Sequence, residues 1–366
     1  MAEYLSGSSL VLVATADLNL RVDARTASWT RVPKDLPQLE VRFLPSIRFL
    51  GERLVRPAAL WRVLDGFAPD AVVTSHPSLT GDLAAMFALR RGIPWIATYH
   101  GDLVAERPYA RAYAWWEARI LRRARTVLVH SQGYVQRLVE RGLDPQAVFA
   151  VTPGPGLENN EPASAVDSPE GRRPGPEHPF LFVGGLDRAR AYKRPELLLE
   201  AVARLSARGV RVWAWFVGDG DRRAELEARA SRLGLVDVVR FLGRLSDQEL
   251  ADAYRRAWAL VLPSTGSEGF GVVTLEALEF GCPAIVSSAV GAAPTLLRGG
   301  CAVTFEADVP EALDEALQLL WTDVQRRSEL AARARETAGQ FDWGSALPQI
   351  AAPILRAAGA TSTGGP

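Results

Sequence analysis

Lysine is almost missing from this chain. Of its 42 basic residues only Lys34 and Lys193 are lysines, so positive charge is otherwise written as arginine and the isolated Lys193 stands out. Cysteine is scarce too. Cys282 and Cys301 are too few for a disulfide framework, and two thiols among 366 residues fit a reducing compartment, although one bridge between them stays open. Net charge is absent, with 42 acidic residues against 42 basic ones, so no global field draws nucleic acid or an anionic surface and any anion site must be local. Long apolar runs are absent as well: 10–14, 212–217 and 257–262 fall far short of the roughly 20 residues that span a bilayer. Met1-Ala2-Glu3-Tyr4 lacks the basic start and apolar core of a secretion signal. The expectation is a soluble, cytoplasmic protein, membrane-peripheral at most.

Several chemistries lose their residues in the same way. The four histidines, His76, His100, His130 and His178, are not spaced as a zinc site, so no metal is expected. No G-x-x-x-x-G-K-[ST] phosphate loop occurs. Ser131-Gln132-Gly133 lacks the flanking glycines of a nucleophile elbow. Asp219-Gly220-Asp221 has a metal-like carboxylate spacing, but it follows a strand and reads as a glycine turn.

What is present is alternation. Short β-rich runs at 10–14, 39–44, 71–74, 95–99, 126–130 and 148–152 are separated by helical patterns at 52–65, 81–91, 107–124 and 132–141. Asn159-Asn160 and a proline-rich, apolar-poor stretch follow, which reads as a linker. The pattern then restarts with strands at 180–183, 210–217, 238–241, 257–262, 284–287 and 302–305. A chain of this length exceeds one core, and βα alternation builds parallel sheets. The prediction is therefore an α/β protein with two Rossmann-like parallel-sheet domains facing across a cleft. Its parts are an N-terminal domain at 1–158, a linker at 159–178, a C-terminal domain at 179–340, and a helix at 341–366 crossing back to the first domain.

Two constellations carry chemistry. A strand ending near Leu262 runs through Glu268-Gly269-Phe270-Gly271 into a helix starting near Val272, which aims free amides and a helix dipole at an anion. Glu268 and Glu276 flank that site, and two carboxylates beside a phosphate are compatible if both accept hydrogen bonds from sugar or ribose hydroxyls. The bland alternative is a solvated Glu276 and a dipole-stabilised Glu268. The second constellation is Gly184-Gly185-Leu186-Asp187-Arg188, then Lys193 before Pro195, again a strand, a glycine turn, cations and a helix start. It reads otherwise as a tight turn with solvated arginines.

Taken in order, Gly184-Gly185-Leu186 with Lys193, Val217-Gly218-Asp219-Gly220, Phe241-Leu242-Gly243-Arg244-Leu245, and Pro263-Ser264 with Glu268 to Gly271 and Glu276 resemble the C-terminal domain of GT-B glycosyltransferases of the retaining, glycogen-synthase-like and mannosyltransferase-like family four. The resemblance implies transfer of a sugar from a nucleoside diphosphate sugar to an acceptor hydroxyl, with retention and with protein cations in place of a metal cofactor. It implies that Glu268 contacts the donor sugar, that the amides of Gly269, Phe270, Gly271 and Val272 lie near sugar and phosphate, and that Glu276 binds the ribose. Lys193 would neutralise the diphosphate beside Gly184 and Gly185, and the backbone around Leu242 and Gly243 would flank the base.

Many relatives carry an arginine where Gly185 stands, and Arg188, or else Arg190 or Arg194, is expected to replace it. In the first domain Tyr99-His100-Gly101-Asp102 follows a strand where such enzymes often place a histidine facing the reacting sugar, so His100 is a candidate; the plainer reading is a hydrogen-bonded structural histidine. A glycine-rich turn after the first strand is missing, since Ala14-Thr15-Ala16-Asp17 stands there. The stretches 42–62 and 107–125, the latter with Trp115 and Trp116, mix arginine with large apolar residues. They read either as ordinary amphipathic helices or as a basic aromatic surface for anionic lipid. Rival functions are a GT-B nucleotide-sugar epimerase or phosphorylase and a non-catalytic sugar-nucleotide-binding partner of a transferase.

Overall fold

The computed structural model describes residues 10–17, 39–49, 52–76, 78–101, 110–154, 156, 173–265, 268–341 and 343–357. Three strands come first: β1 (Leu10–Asp17), β2 (Leu39–Phe49) and β3 (Glu52–Val55). They form one sheet in that order, with β1 and β2 parallel and β2 and β3 antiparallel. A helix expected from Glu52 instead begins at Pro57, as α1 (Pro57–Phe67). The reason is local. Proline excludes the residue before it from helical geometry, so Arg56 is extended (φ −61°, ψ 125°) and the chain ahead of it pairs as a strand.

The next four strands, β4 (Val72–His76), β5 (Trp95–Tyr99), β6 (Thr126–Val129) and β7 (Val148–Ala150), make a separate sheet, parallel throughout. The described strands of the first half thus divide into two sheets. Helices α2 (Leu79–Arg91), α3 (Ala110–Leu121) and α4 (Gln132–Glu140) connect the strands. Ser131 is the N-cap of α4 and accepts from the Tyr134 amide at 3.3 Å, so its hydroxyl serves the helix start.

In the second half β8 (Phe180–Val183), β9 (Ala214–Val217), β10 (Val239–Gly243), β11 (Ala259–Leu262), β12 (Ala284–Ser287) and β13 (Ala302–Phe305) form one six-stranded parallel sheet. Its order is β10-β9-β8-β11-β12-β13. The chain builds outward from β8 on one side, then restarts beside β8 with β11, and this reversal is the switch point where open α/β sheets bind ligands. The expected strand at 210–217 is shorter because Gly209 (φ +79°) and the Val210 amide, which donates to the Leu205 carbonyl at 2.9 Å, close the preceding helix α5 (Pro195–Ala207). The other helices are α6 (Arg223–Arg232), α7 (Asp247–Arg256), α8 (Val272–Glu279), α9 (Ala293–Arg298), α10 (Pro310–Thr322) and α11 (Val324–Ala338).

Alternate strand residues face opposite layers. Phe180, Phe182, Phe216, Val261 and Ile285 pack with α5 and α10, while Leu181, Val183, Leu260, Leu262 and Val286 pack with α8, α9 and α11. Both faces are covered, which is why these strands read as continuous apolar runs. The final described helix, α12 (Trp343–Ala357), sets Ile350, Ile354 and Ala357 against Ile96 of β5, Leu128 of β6 and Phe149 of β7. The C-terminal segment therefore packs on the second sheet of the first domain. Cys282 and Cys301 are buried free thiols. Among the described residues no helix is long and apolar enough to cross a membrane.

Candidate functional site

The chain leaves the switch point from the C-terminal end of β8 through Gly184 and Gly185. The Gly184 amide donates to the Val217 carbonyl at 3.0 Å, and Gly218 (φ +128°) lies so close to the Gly184 carbonyl that no Cβ would fit. Asp187 then caps a tight 3-10 turn over Arg188–Lys193, accepting from the Arg190 amide at 3.0 Å. The turn directs Lys193 back beneath the strand end, where a side chain on Gly184 would stand 2.9 Å from its Cδ. Lys193 is only 8% exposed, and its Nζ donates to Glu268 Oε2 at 2.5 Å.

Glu268 lies on the loop after β11, the other switch-point strand. Its Oε2 also accepts from the buried Ser264 hydroxyl at 3.4 Å. The two loops are laced at a second point, where the Thr265 amide donates to the Tyr192 carbonyl at 2.8 Å. Lysine and glutamate thus neutralise each other at the bottom of the crevice. Removing one partner of such a pair leaves a charge with little hydration, which costs far more than the pair itself contributes.

The loop continues through Gly269 and Phe270 into α8. Phe270 is buried and meets Phe341 edge-on at 6.2 Å, which anchors the loop in the core. Gly271 is the N-cap with φ +83°, and its lack of a Cβ leaves room for Leu262 and Val290. The Gly291 amide donates to the Glu268 carbonyl and the Ala292 amide to the Phe270 carbonyl, both at 3.2 Å, so a second loop braces the first. Glu276 sits one turn into α8. Tyr254 of α7 donates its hydroxyl to Glu276 Oε2 at 2.8 Å, and its ring stacks on Phe280 at 5.9 Å. Burial, and then the adjacent Glu276, hold the Tyr254 phenol well above its ordinary pKa, so it remains a donor. Glu276 Oε1 faces Gly156 so closely that a side chain there would collide.

The first domain supplies the opposite wall. The His100 carbonyl abuts Gly269, and the Ser131 hydroxyl lies beside Gly291. His76, His100 and His130 stand at the tips of the adjacent strands β4, β5 and β6. The His100 Nδ1 and His130 Nε2 atoms share a hydrogen bond of 2.9 Å, and His100 Nε2 lies 3.3 Å from the Thr98 hydroxyl. Thr98 donates its own proton to the Thr74 carbonyl at 3.1 Å, which leaves its oxygen to accept. Desolvation first, and His130 second, push the His100 pKa down to about 4 even though the residue keeps part of its surface in solvent. Burial takes His76 to about 4 as well and lowers His130. Near neutral pH this row is uncharged. The approach of His76 Nδ1 to Asp82 Oδ1, 3.4 Å, is then a contact of a neutral ring with a carboxyl whose own pKa burial raises to about 6.

Lys193, Glu268, Gly184, Gly185, Gly269, Gly271, Val272 and Glu276 are brought together about the ends of β8 and β11, with the His100 carbonyl against Gly269, while the ring of Phe270 turns into the core. Leu242 and Gly243 end β10, where the Gly243 carbonyl accepts from the Gly218 amide at 2.8 Å. Arg188 departs from expectation. Its side chain is 76% exposed and leans toward Asp221 at 3.8 Å and Glu225 at 4.0 Å. Arg190 is the cation over Gly185: a Cβ on Gly185 would stand 2.9 Å from its Cδ and 3.0 Å from its Nη1, and Asp187 holds the guanidinium at 2.5 Å. Arg194 turns to Glu196 at 2.7 Å. His178 lies apart, its Nδ1 donating to the Arg256 carbonyl at 2.9 Å. Asp219 and Asp221 accept from the amides of Gly220 and Arg188, both at 2.9 Å, as turn residues do. Sequence reasoning missed Tyr254 and the pairing of His100 with His130, whose partners lie 22 and 30 residues away with no local motif to mark them, while Ser264 of the Pro263-Ser264 motif proves to be a donor to Glu268.

A switch-point crevice lined by glycines, a buried lysine and two carboxylates, faced by a second α/β domain, defines a GT-B protein of the sugar-transferring class. The chain belongs to the glycosyl transferases group 1 family, whose model matches residues 167–337, while a glycosyl transferase 4-like domain model matches 8–154. It is 32% identical over 309 residues to the D-inositol 3-phosphate glycosyltransferase of Geodermatophilus obscurus, covering 78% of this chain and 66% of that protein. It is 32% identical over 330 residues to D-inositol 3-phosphate glycosyltransferase 1 of Catenulispora acidiphila, covering 82% and 77%. The chain therefore spans about two thirds to three quarters of the length of these relatives. Among solved structures, Anabaena HepE in complex with UDP-glucose superposes with a TM-score of 0.69 at 21% identity, covering 87% of this chain and 86% of that one. Sucrose-phosphate synthase from Thermosynechococcus elongatus gives 0.67 at 20%, covering 87% and 89%. These likenesses establish the GT-B fold.

Proposed function

We propose that this protein transfers a sugar from a nucleoside diphosphate sugar to an acceptor hydroxyl, with retention of anomeric configuration and without a metal. The observation that carries the proposal is the 2.5 Å contact between Lys193 and Glu268 at the switch point, beside the glycine-lined start of α8. The diphosphate takes over Lys193 and the amides from Gly269 to Val272, which stabilise the charge that grows on the leaving group. Glu268, released from the lysine, accepts from donor-sugar hydroxyls. Glu276, held by Tyr254, accepts from the ribose. Gly184 and Gly185 let the diphosphate approach, and Leu242 and Gly243 flank the base. The departing diphosphate deprotonates the acceptor on the same face, with the neutral His100 turned toward the reacting sugar.

UDP and UDP-glucose in the complexes of the Anabaena relative support a uridine nucleotide as the first donor to try. The names of the curated relatives make D-inositol 3-phosphate the first acceptor to try. A thermal-shift panel of nucleoside diphosphates and their sugars tests the donor, because a ligand bound only by the folded state raises its stability. At least one nucleoside diphosphate should raise the melting temperature, and Lys193→Ala and Glu268→Ala should abolish slow donor hydrolysis to the free diphosphate. Absence of any nucleotide effect sinks the proposal. Hydrolysis untouched by both substitutions would leave a binding protein, conversion of the donor into an isomeric nucleotide sugar without an acceptor would make it an epimerase, and dependence of turnover on inorganic phosphate would make it a phosphorylase.

A further inference from the structure

The first domain carries a surface that the donor crevice does not use. Helix α3 buries Tyr113, Glu117, Ile120 and Leu121 against the domain. Its outward stripe, at helical spacing, is Trp115, Trp116 and Arg119, continued past the helix end by Arg122 and Arg123. Trp115 is 68% exposed and Trp116 40%. Between α3 and α2 runs a groove of about 210 Å³, with Met86, Leu89 and Ile120 at its floor and Arg90, Arg119 and Arg123 at its rim. No acidic residue lines it among the described residues. In a chain whose charges balance, this is a local segregation of one sign. Cations and rings are also paired here: the Arg90 guanidinium lies 4.9 Å from the Trp61 ring centre, and that of Arg119 lies 5.9 Å from Trp115.

Two exposed indoles beside an apolar groove leave apolar area in water, and a rim of cations alone complements a surface whose negative charge is uniform. Tryptophan with arginine is the pairing suited to the headgroup layer, where a ring is half buried and a guanidinium meets phosphate. A protein partner would ordinarily be matched by charges of both signs at the rim. We propose that the α2–α3 face docks on an anionic lipid surface, with Trp115 and Trp116 in the interfacial layer and Arg90, Arg119 and Arg123 on lipid phosphates. This goes beyond the glycosyl-transfer reading and does not depend on it.

The test is co-sedimentation of the full chain with vesicles of phosphatidylcholine alone or mixed with phosphatidylglycerol, with tryptophan emission recorded in parallel. Three cations near the surface predict a preference for the anionic vesicles of roughly a hundredfold, lost in high salt. The emission should shift to the blue on binding. Trp115→Ala with Trp116→Ala should abolish the shift and most of the binding, and Arg119→Glu with Arg123→Glu should abolish the preference. Arg326→Glu with Arg333→Glu, the same charge change on exposed residues of α11, should leave binding intact, and every variant should keep the melting temperature of the parent. Equal loss in that control, or no binding to anionic vesicles, overturns the proposal. So does light scattering that shows a dimer dissolved by the tryptophan substitutions, which would assign the face to a second copy.

Discussion

Gly185 stands where the family resemblance leads one to expect an arginine, and the space a side chain would take there is occupied by Asp187 and by Arg190, five residues on. The 3-10 turn makes the substitution possible, because Asp187 caps it through the Arg190 amide and grips the guanidinium with its other oxygen. Arg188 faces the opposite way, toward Asp221 and Glu225, and its exposure makes those contacts worth little. Arg190→Ala is therefore expected to weaken nucleoside diphosphate binding by roughly tenfold, the scale of one charge-assisted hydrogen bond to phosphate in a partly open site. Arg188→Ala should change it by less than about twofold, since it loses only exposed contacts. Isothermal titration of both variants decides the assignment. If Arg188→Ala carries the larger loss, the loop rearranges on binding and the unliganded geometry is no guide to the diphosphate contact.

Elements show which parts of this arrangement could be read in advance. The β8 turn, the Glu268 loop and the start of α8 were legible because glycines, a proline and a lone lysine punctuate strands that are apolar on both faces. The boundary at Pro57 was misplaced because the amphipathic pattern from 52 to 65 is continuous in sequence, while the restriction that proline places on Arg56 interrupts it in space. The division of the first domain into two sheets was hidden for a different reason, since pairing partners depend on registers between distant segments. The brace on Glu276 was equally hidden. Tyr254 occupies an inward position of α7 like any core aromatic, and only the packing of α7 on α8 brings its hydroxyl to the carboxylate. Tyr254→Phe keeps the stacking on Phe280 and removes that one donor, so it should cost about 1 to 2 kcal/mol of stability. If Glu276 binds the ribose, the variant should also discriminate less between UDP and its 2′-deoxy analogue than the parent does. Unchanged discrimination in both Tyr254→Phe and Glu276→Ala would remove Glu276 from the ribose site.

On the scale of the whole molecule, the crevice has one wall from each half of the chain, and described contacts hold those walls in register. His100 abuts Gly269, Ser131 abuts Gly291, and Gly156 abuts Glu276, each with no room for a further carbon atom. These close approaches at the cleft carry little apolar area. The apolar connection lies behind them, where α12 returns Ile350 and Ile354 to Ile96, Leu128 and Phe149. The C-terminal domain, by contrast, completes its own core on both sides of its sheet without α12. Replacing Ile350 and Ile354 by aspartate puts two charges against an apolar sheet face and should cost several kcal/mol there. The loss falls on the first domain and on its alignment. Calorimetry of the double variant should show one cooperative transition split in two, with the later one still raised by a nucleoside diphosphate because Lys193, Glu268 and Glu276 remain folded around it. Sugar transfer should fall much further than donor affinity, since the acceptor wall with His100 is no longer held opposite the donor. A variant that melts in a single transition and transfers sugar at the parental rate would show that the two domains stay aligned without α12.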